Sequence, residues 1–517
     1  MRLQIQKGSD LFGTLLQQNI NISAFCGGKE KCGKCKVRIV EGTLPVTSVE
    51  QRFLTENELA AGIRMACCHK ACEADVTVEA GDEAQGFQIL GSDKTRYDVD
   101  RSEDGAEDGI KDGIAVAVDI GTTTLVIAEI DLRDGRLLRE TKVMNPQRKY
   151  GADVINRIQA CNDHGVAILQ QLVLQEIRKV ILSTKQPIRR MYVCGNSTME
   201  HIFLGIEPRK ISEYPYVCEF EEMQVVEGRE LFFQGGKVSD VGDFSGGFSR
   251  ERSSAESDGI AKYNFPVTVF PNIAAFVGGD IVAGIVSTDM DRYDKRLLID
   301  LGTNGEMALS YEGKIYTTST AAGPAFEGGN MLCGVASIPG AICRIQMDGE
   351  DVEYRTIGDQ PPMGICGSGY IEGISEILSN GLMDETGYME EELEIDGDIK
   401  IVPADIRNFQ LAKSAVRSGI NILCRRAGVA FGEIEQVYIS GGFGKASNLA
   451  ALANLKIIPK EFLGKTQLLG NTALDGTIRS LLTADTKRLA QIKAMSVNVD
   501  LASDQRFNDE YMENMWF

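Results

Sequence analysis

Two stretches of this chain are built for the same chemistry. Residues 114–131 read IAVAVDIGTTTLVIAEID, and residues 296–309 read RLLIDLGTNGEMAL. In each, an apolar run ends at an aspartate (Asp119, Asp300). A glycine-threonine turn follows (Gly121, Thr122 and Thr123; Gly302, Thr303 and Asn304), and a second apolar run leaves it. Successive N–H groups in such a turn form an anion-binding concavity, and the glycine lets backbone approach what is bound. An aspartate at the strand end is placed to hold a metal ion against that anion, directly or through water. A lone copy reads as an ordinary β-hairpin. Two copies with the same order of parts argue for duplicated lobes facing one ligand. A third element, residues 437–444 (VYISGGFG), is a buried strand ending in a turn that contains Gly441 and Gly442.

These turns need rigid elements around them. The apolar runs are uninterrupted rather than alternating, as in strands buried on both faces. Residues 151–161 and 166–184 have helical periodicity, and residues 191–199 form a strand ending at Gly195-Asn196-Ser197-Thr198. Asn196 and Thr198 either approach substrate or, with Thr198 as the cap, close a strand-to-helix turn. Residues 270–286 read as a helix or helix pair interrupted at Gly278-Gly279-Asp280. Asp280, in apolar surroundings, is a candidate general base, a water orienter or a helix cap. Residues 321–329 and 364–370 are glycine turns before helices, and Cys366 shows no nucleophile signature because no base lies near it in sequence. Residues 235–259 are Gly-, Ser- and Asp-rich, as in a surface insertion. Helices are expected over 411–427, 445–455 and 487–494, the second with its N-terminus toward the bound anion. A strand over 496–502 and a tail holding the single Trp follow; the tail closes a core or anchors an interface.

The first 81 residues form a separate pattern. A strand (RLQIQ), a short helix over 10–18 with Asp10 near its cap, a helix over 55–61 and a closing strand (ADVTVEA) describe a small β-rich domain. Six of the thirteen cysteines lie in its first 72 residues. Cys26-x5-Cys32-x2-Cys35 sits among Gly27, Gly28 and Gly33, with Cys67 and Cys68 further on. That spacing is close to the C-x4-C-x2-C…C loop that wraps thiolates around a [2Fe–2S] cluster, with one residue more in the first gap. A zinc site from Cys32, Cys35, Cys68 and Cys72 is the alternative, and it leaves Cys26 and its glycines without a use. His69 is expected to face solvent and Cys72 to be structural. Residues 82–112 carry ten acids against four bases and few large apolar side chains, the composition of a flexible linker.

A length of 517 residues allows two to four domains, and 43% apolar with 25% charged residues is an ordinary globular balance. The net charge of −20 argues against a nucleic-acid partner. No apolar leader opens the sequence and no run approaches the roughly 18 apolar residues of a membrane span. A cytoplasmic protein without membrane contact is expected.

The two hairpins and the SGGFG turn, in this order, resemble the ASKHA group of actin-like ATPases, which includes sugar kinases, Hsp70 and actin. The N-terminal domain is similar to plant-type ferredoxins, and RMAC resembles the segment carrying their last ligand, favouring Cys67, with Cys68 as the alternative. A [2Fe–2S] domain followed by an actin-like ATPase resembles the RACo-type reductive activators of corrinoid proteins. The resemblance implies an α/β two-lobed ATPase with ribonuclease H-like lobes (113–290 and 291–517), preceded by a small α+β β-grasp ferredoxin domain (1–81) and the linker (82–112). That group's longer members insert a further domain where residues 82–112 are too short to hold one.

The resemblance further implies that Cys26, Cys32, Cys35 and Cys67 hold the cluster. Both hairpin turns clasp ATP, Asp119 and Asp300 position Mg²⁺ or the attacking water, Glu306 orients that water, and Gly441 and Gly442 pass adenosine. The implied partners are a Co(II) corrinoid protein of a methyltransferase system, an electron-donating reductase or ferredoxin, and a second copy of the chain. The implied reaction is ATP-dependent one-electron reduction to Co(I). Two other classes fit parts of the pattern: an ATP-driven donor resembling 2-hydroxyacyl-CoA dehydratase activators, and a metabolite kinase with a redox appendage.

Overall fold

The computed structural model describes residues 2–18, 20, 22, 28–31, 33, 35–80, 94–98, 110, 112–151, 153–233, 262–349, 351–441 and 448–517. Cys26, Gly27, Cys32, Gly442, most of 82–112 and the proposed insertion at 235–259 lie outside the described residues.

The N-terminal domain is a four-stranded antiparallel sheet in the order Arg2–Ile5, Val76–Glu79, Lys36–Glu41, Ile63–Met65. The helix Leu11–Gln17 follows Asp10 as expected, and Thr55 caps Glu56–Ala60 through a reciprocal bond with Glu58. His69 departs from expectation. It is buried, with Nε2 3.1 Å from Glu50 Oε1, because Glu50 is itself buried and organises the segment that carries Cys67. Its carboxylate also accepts from the N–H groups of Thr47 (2.8 Å) and Met65 (2.7 Å). Burial alone would raise its pKa, yet these bonds and His69 hold it at about 2.

Two six-stranded sheets dominate the rest, beside a three-stranded and a two-stranded sheet in the second lobe. In the first, the strands Ile114–Ile120, Thr124–Asp131 and Leu137–Met144 make an antiparallel meander. Ile188–Gly195 and then Pro266–Val269 return parallel on the other side of the first strand. The second sheet repeats this order with Arg296–Leu301, Gly305–Tyr311 and Lys314–Thr320, then Gln436–Ser440 and Thr466–Leu468. Each adds one edge strand, Gln224–Glu227 to the first and Ser496–Asn498 to the second. The duplication inferred from two hairpins therefore extends to whole lobes. All seven residues of Ile114–Ile120 are buried, as the uninterrupted apolar run requires.

The helix following the fifth strand of each lobe crosses to the other. Gly279–Thr288 packs against Thr472–Thr483, and the latter lies on the first lobe's strands. One core of Ala115, Val126, Ile281, Ile285, Leu298, Ala308, Leu474 and Ile478 thus spans both lobes. Helix does not extend over 270–278 as expected. Gly278 is extended (φ −97°, ψ −168°), and a Cβ there would lie 2.5 Å from Gly195 O and Ser197 N, so the two glycine turns pack backbone to backbone. The helix expected from 411 begins earlier, at Pro403, a residue suited to the first helical turn.

Residues 94–98 are not a free part of the tether. Tyr97 is buried in the inter-lobe core, its hydroxyl donates to Asp475 Oδ1 at 2.5 Å, and its N–H donates to Gly135 O. The C-terminal tail closes a core. Phe517 is buried and stacks with Phe409, while buried Lys413 donates to the carbonyls of Asn514 (2.7 Å) and Trp516 (2.8 Å). Among the described residues no helix is long and apolar enough to cross a membrane.

Candidate functional site

Both hairpin turns open into one cleft between the lobes. Asp119, at the end of its strand, accepts from Asn471 Nδ2 at 2.7 Å; Asp300 accepts from Ser440 Oγ at 2.8 Å. Asn471 caps the second lobe's crossing helix, with Oδ1 accepting from Leu474 N at 2.8 Å. Asp280 occupies the matching first turn of the other crossing helix, where its carboxylate feels the charges of Asp300 and Asp119. The duplicated lobes thus bring the start of each crossing helix to the other lobe's first-strand aspartate. Two helix N-termini, each favouring negative charge, face the cleft together.

The first turn is held from behind. Asn145 Nδ2 donates to Gly121 O at 2.8 Å, Asn196 Nδ2 to Thr122 Oγ1 at 2.9 Å, and Arg157 to Thr122 O. Asn196 also caps Ser197–Leu204 by accepting from Met199 N, so cap and site support are one residue's work, and the cap is Asn196 rather than Thr198. Arg157 is fully buried among neutral acceptors; burial and Arg148 lower its pKa to about 9, which leaves it cationic behind the turn at neutral pH. The second turn faces Thr123 across the cleft through Glu327, whose two carboxylate oxygens accept from Thr123 Oγ1 (3.0 Å) and Thr303 Oγ1 (3.1 Å). Gly441 backs onto the second hairpin with φ +112°; a Cβ would sit 2.1 Å from Leu301 O, so no other residue fits.

Carboxylates dominate this cleft. Burial, opposed by Asn471 and assisted by Asp300, raises Asp119 to about 6. Burial and the charges of Asp300 and Asp119 raise Asp280 to about 7. Burial raises Asp300 too, with Glu327 adding to it. Glu306, paired in register with Asp300, is pushed well above the carboxylate range by burial, Asp280 and Asp300, and its Oε1 is buried without a hydrogen-bond partner. Among the described residues no three His, Cys, Asp or Glu side chains converge on one metal position. Fewer protein ligands suit a cation that is bound by one or two carboxylates together with a ligand's phosphates.

These shifts set a pH dependence. Between about pH 4 and pH 7 the folded chain keeps protons on Asp119 and Asp280 that the unfolded chain has lost, so stability falls as pH rises. The part from Asp119 (about 6 when folded) is on the order of 3 kcal/mol. Thermal unfolding of the ligand-free protein at about pH 4.5 and 7.5 should show this decline, and Asp119→Asn should make it shallower, with Asp280 carrying the rest.

In the N-terminal domain, Cys35 and Cys67 are buried with their sulfurs 3.2 Å apart, while Cys68 is partly exposed. Gly28 and Gly33 adopt φ +80° and +68°, and a Cβ on either would run into the ring of Phe12 or Phe53. The two thiols and the tight glycine backbone fit a cluster-binding loop.

Three family models match the chain. A family model for the 2Fe-2S iron-sulfur cluster binding domain matches residues 2–72. Another, the RACo middle region, matches 114–242 and 250–293, and a third, the C-terminal domain of RACo (the ASKHA domain), matches 294–517. The chain belongs to the RACo family. RACo-type relatives include the corrinoid activation enzyme RamQ of Eubacterium limosum, 28% identical over 442 residues covering 78% of this chain and 70% of that protein. A [Co(II) methylated amine-specific corrinoid protein] reductase of Methanosarcina barkeri is 24% identical, covering 77% of this chain and 76% of that one. The solved structure of a reductive activator for corrinoid, iron-sulfur protein superposes with a TM-score of 0.68 at 25% identity, covering 99% of this chain and 96% of its own. As a RACo-type protein the chain has a [2Fe–2S] domain and an ATP-binding ASKHA domain, and the zinc alternative falls away.

Sequence reasoning did not find Glu327, Asn471, Glu50 or Arg157. Asn471 follows a leucine-rich strand as a helix-cap residue and could have been found as the counterpart of Asp280. Glu327 lies in a glycine turn whose carboxylate nothing local marks.

Proposed function

We propose that this RACo-type protein passes one electron from its [2Fe–2S] centre to the Co(II) corrinoid of a partner protein, using ATP, and so regenerates Co(I) for methyl transfer. The observation that carries this reading is the joining, on one chain, of a buried Cys35–Cys67 pair and a two-lobed acidic cleft lined by both threonine hairpins. The names of its relatives support the choice of acceptor. ATP is needed because the acceptor is harder to reduce than the donor. Plant-type clusters lie near about −400 mV, and each tenfold of disfavour is about 59 mV for one electron.

Residues 1–81 form the electron-carrying domain, 82–112 the tether, and 113–290 and 291–517 the two ATPase lobes. Cys26, Cys32, Cys35 and Cys67 hold the cluster, which supplies a one-electron store. The turns Gly121-Thr122-Thr123 and Gly302-Thr303-Asn304 bind phosphates, and Gly441 and Gly442 lie along the adenosine. Asp119 and Asp300 hold Mg²⁺, which supplies charge neutralisation of the phosphates. Asp280 accepts the proton of the attacking water, and Glu306, whose carboxyl pKa is pushed upward by burial and by Asp280 and Asp300, orients it. Hydrolysis here is positioning and electrostatics rather than covalent catalysis. A homodimer in the cytoplasm, fed by a reductase or ferredoxin, completes the reading.

The test is anaerobic. Reduced protein is mixed with a Co(II) corrinoid protein and the corrinoid spectrum followed with and without Mg–ATP. Co(I) should form only with nucleotide, and phosphate release should quicken when the corrinoid protein is present. Co(I) formation at the same rate without ATP would end the proposal.

A further inference from the structure

Among the described residues, Glu327 joins the two hairpins through hydrogen bonds. It sits on the 3₁₀ turn Pro324–Glu327, anchored from below by fully buried Phe326, whose ring meets Phe409 edge-on at 5.5 Å. Its oxygens take one hydrogen bond from each lobe: Thr123 Oγ1 at 3.0 Å from the first, Thr303 Oγ1 at 3.1 Å from the second. A threonine hydroxyl has a single hydrogen to donate. Neither threonine can therefore give it to a phosphate oxygen while giving it to Glu327. A carboxylate accepts through two oxygens and carries a negative charge, so in this cleft it stands where a terminal phosphoryl group would. It also adds to the repulsion that raises Asp300.

The geometry points to Glu327 as a specificity-determining residue: an internal stand-in for the terminal phosphate that a nucleoside triphosphate must displace and a diphosphate need not. The inference rests on the cleft being the nucleotide site and adds how that site distinguishes its two states. With a triphosphate bound, both threonines turn to phosphate and Glu327 is released. With the shorter diphosphate, the bridge between the lobes stays or re-forms. The carboxylate thereby weakens triphosphate binding selectively and favours the return to the bridged state after hydrolysis.

The test compares full-length wild type with Glu327→Gln and Glu327→Ala, by titration calorimetry with Mg–AMPPNP and Mg–ADP. Removing the charge should tighten AMPPNP binding by about tenfold in both variants, a gain of about 1.4 kcal/mol, and move ADP affinity less than about threefold. A merely structural role would shift the unfolding temperature without changing the AMPPNP-to-ADP ratio, and that result would overturn the inference. Weaker AMPPNP binding in the variants would also overturn it, with Glu327 then acting as a ligand of the bound cation. If wild type bound neither nucleotide, the nucleotide reading of the cleft would fall first and this one with it. Wild-type binding with an unchanged ratio in the variants would remove this inference alone.

Discussion

Asp280→Asn should lower ATP turnover by about two to three orders of magnitude, the usual worth of a positioned general base, while nucleotide affinity changes little. The carboxylate lies in the first turn of the crossing helix, oriented by the N–H of Ile281 at 2.8 Å. Burial and the charges of Asp300 and Asp119 place its pKa at about 7, where a base is both substantially ionised and able to take a proton. Two further consequences separate this role from a structural one. Wild-type turnover should rise with pH as the base ionises, and the variant should lose that rise. The variant should also be the more stable protein at about pH 8, because an uncharged side chain no longer repels Asp300 and Asp119. Steady-state phosphate release, calorimetric nucleotide binding and thermal unfolding on the same preparations decide the matter. A variant with near-normal turnover would assign the base elsewhere.

Cys67→Ser should remove the visible absorption of the cluster and most of the bound iron, and abolish electron transfer, whereas Cys68→Ala should leave all three nearly intact. The adjacent cysteines differ in what surrounds them. Cys67 is buried with its sulfur 3.2 Å from that of Cys35, while Cys68 is turned partly outward. The segment carrying both is fixed by Glu50 through Met65 N and His69, so either substitution should leave the local backbone in place. Iron counts and anaerobic absorption spectra read the outcome. Loss of the cluster in the Cys68 variant with its retention in the Cys67 variant would reverse the assignment.

Much of this architecture was legible in local patterns. Uninterrupted apolar runs ending in Asp-x-Gly-Thr marked two buried hairpins, and the structure extends that repeat to five strands in the same order in each of two sheets. The helix expected over 55–61 is capped by Thr55 through Glu58, a contact over three residues, whereas Asp10 precedes its helix without a side-chain capping bond. The cysteine loop announced itself by spacing, which is also a short-range property. Where a local signal had two readings, it stayed ambiguous: Asp280 as cap or base, Cys67 or Cys68, Asn196 as cap or site residue.

What only the tertiary structure decided involves residues far apart in sequence. Asn471 meets Asp119, and Glu327 meets Thr123, because the crossing helix Thr472–Thr483 and the turn Pro324–Glu327 of the second lobe reach across to the first. Tyr97 was hidden inside an acidic stretch and is held by Asp475 on a crossing helix. His69 looked polar enough for solvent, yet its partner Glu50, nineteen residues earlier, is buried with it. Periodicity, turn chemistry and ligand spacing act over a few residues, so the chain itself determined its strands, its caps and the types of its sites. The exchange of helices between lobes is set by the packing of a shared core, and it alone determined which carboxylates face one another and which of them stands in the way of a phosphate.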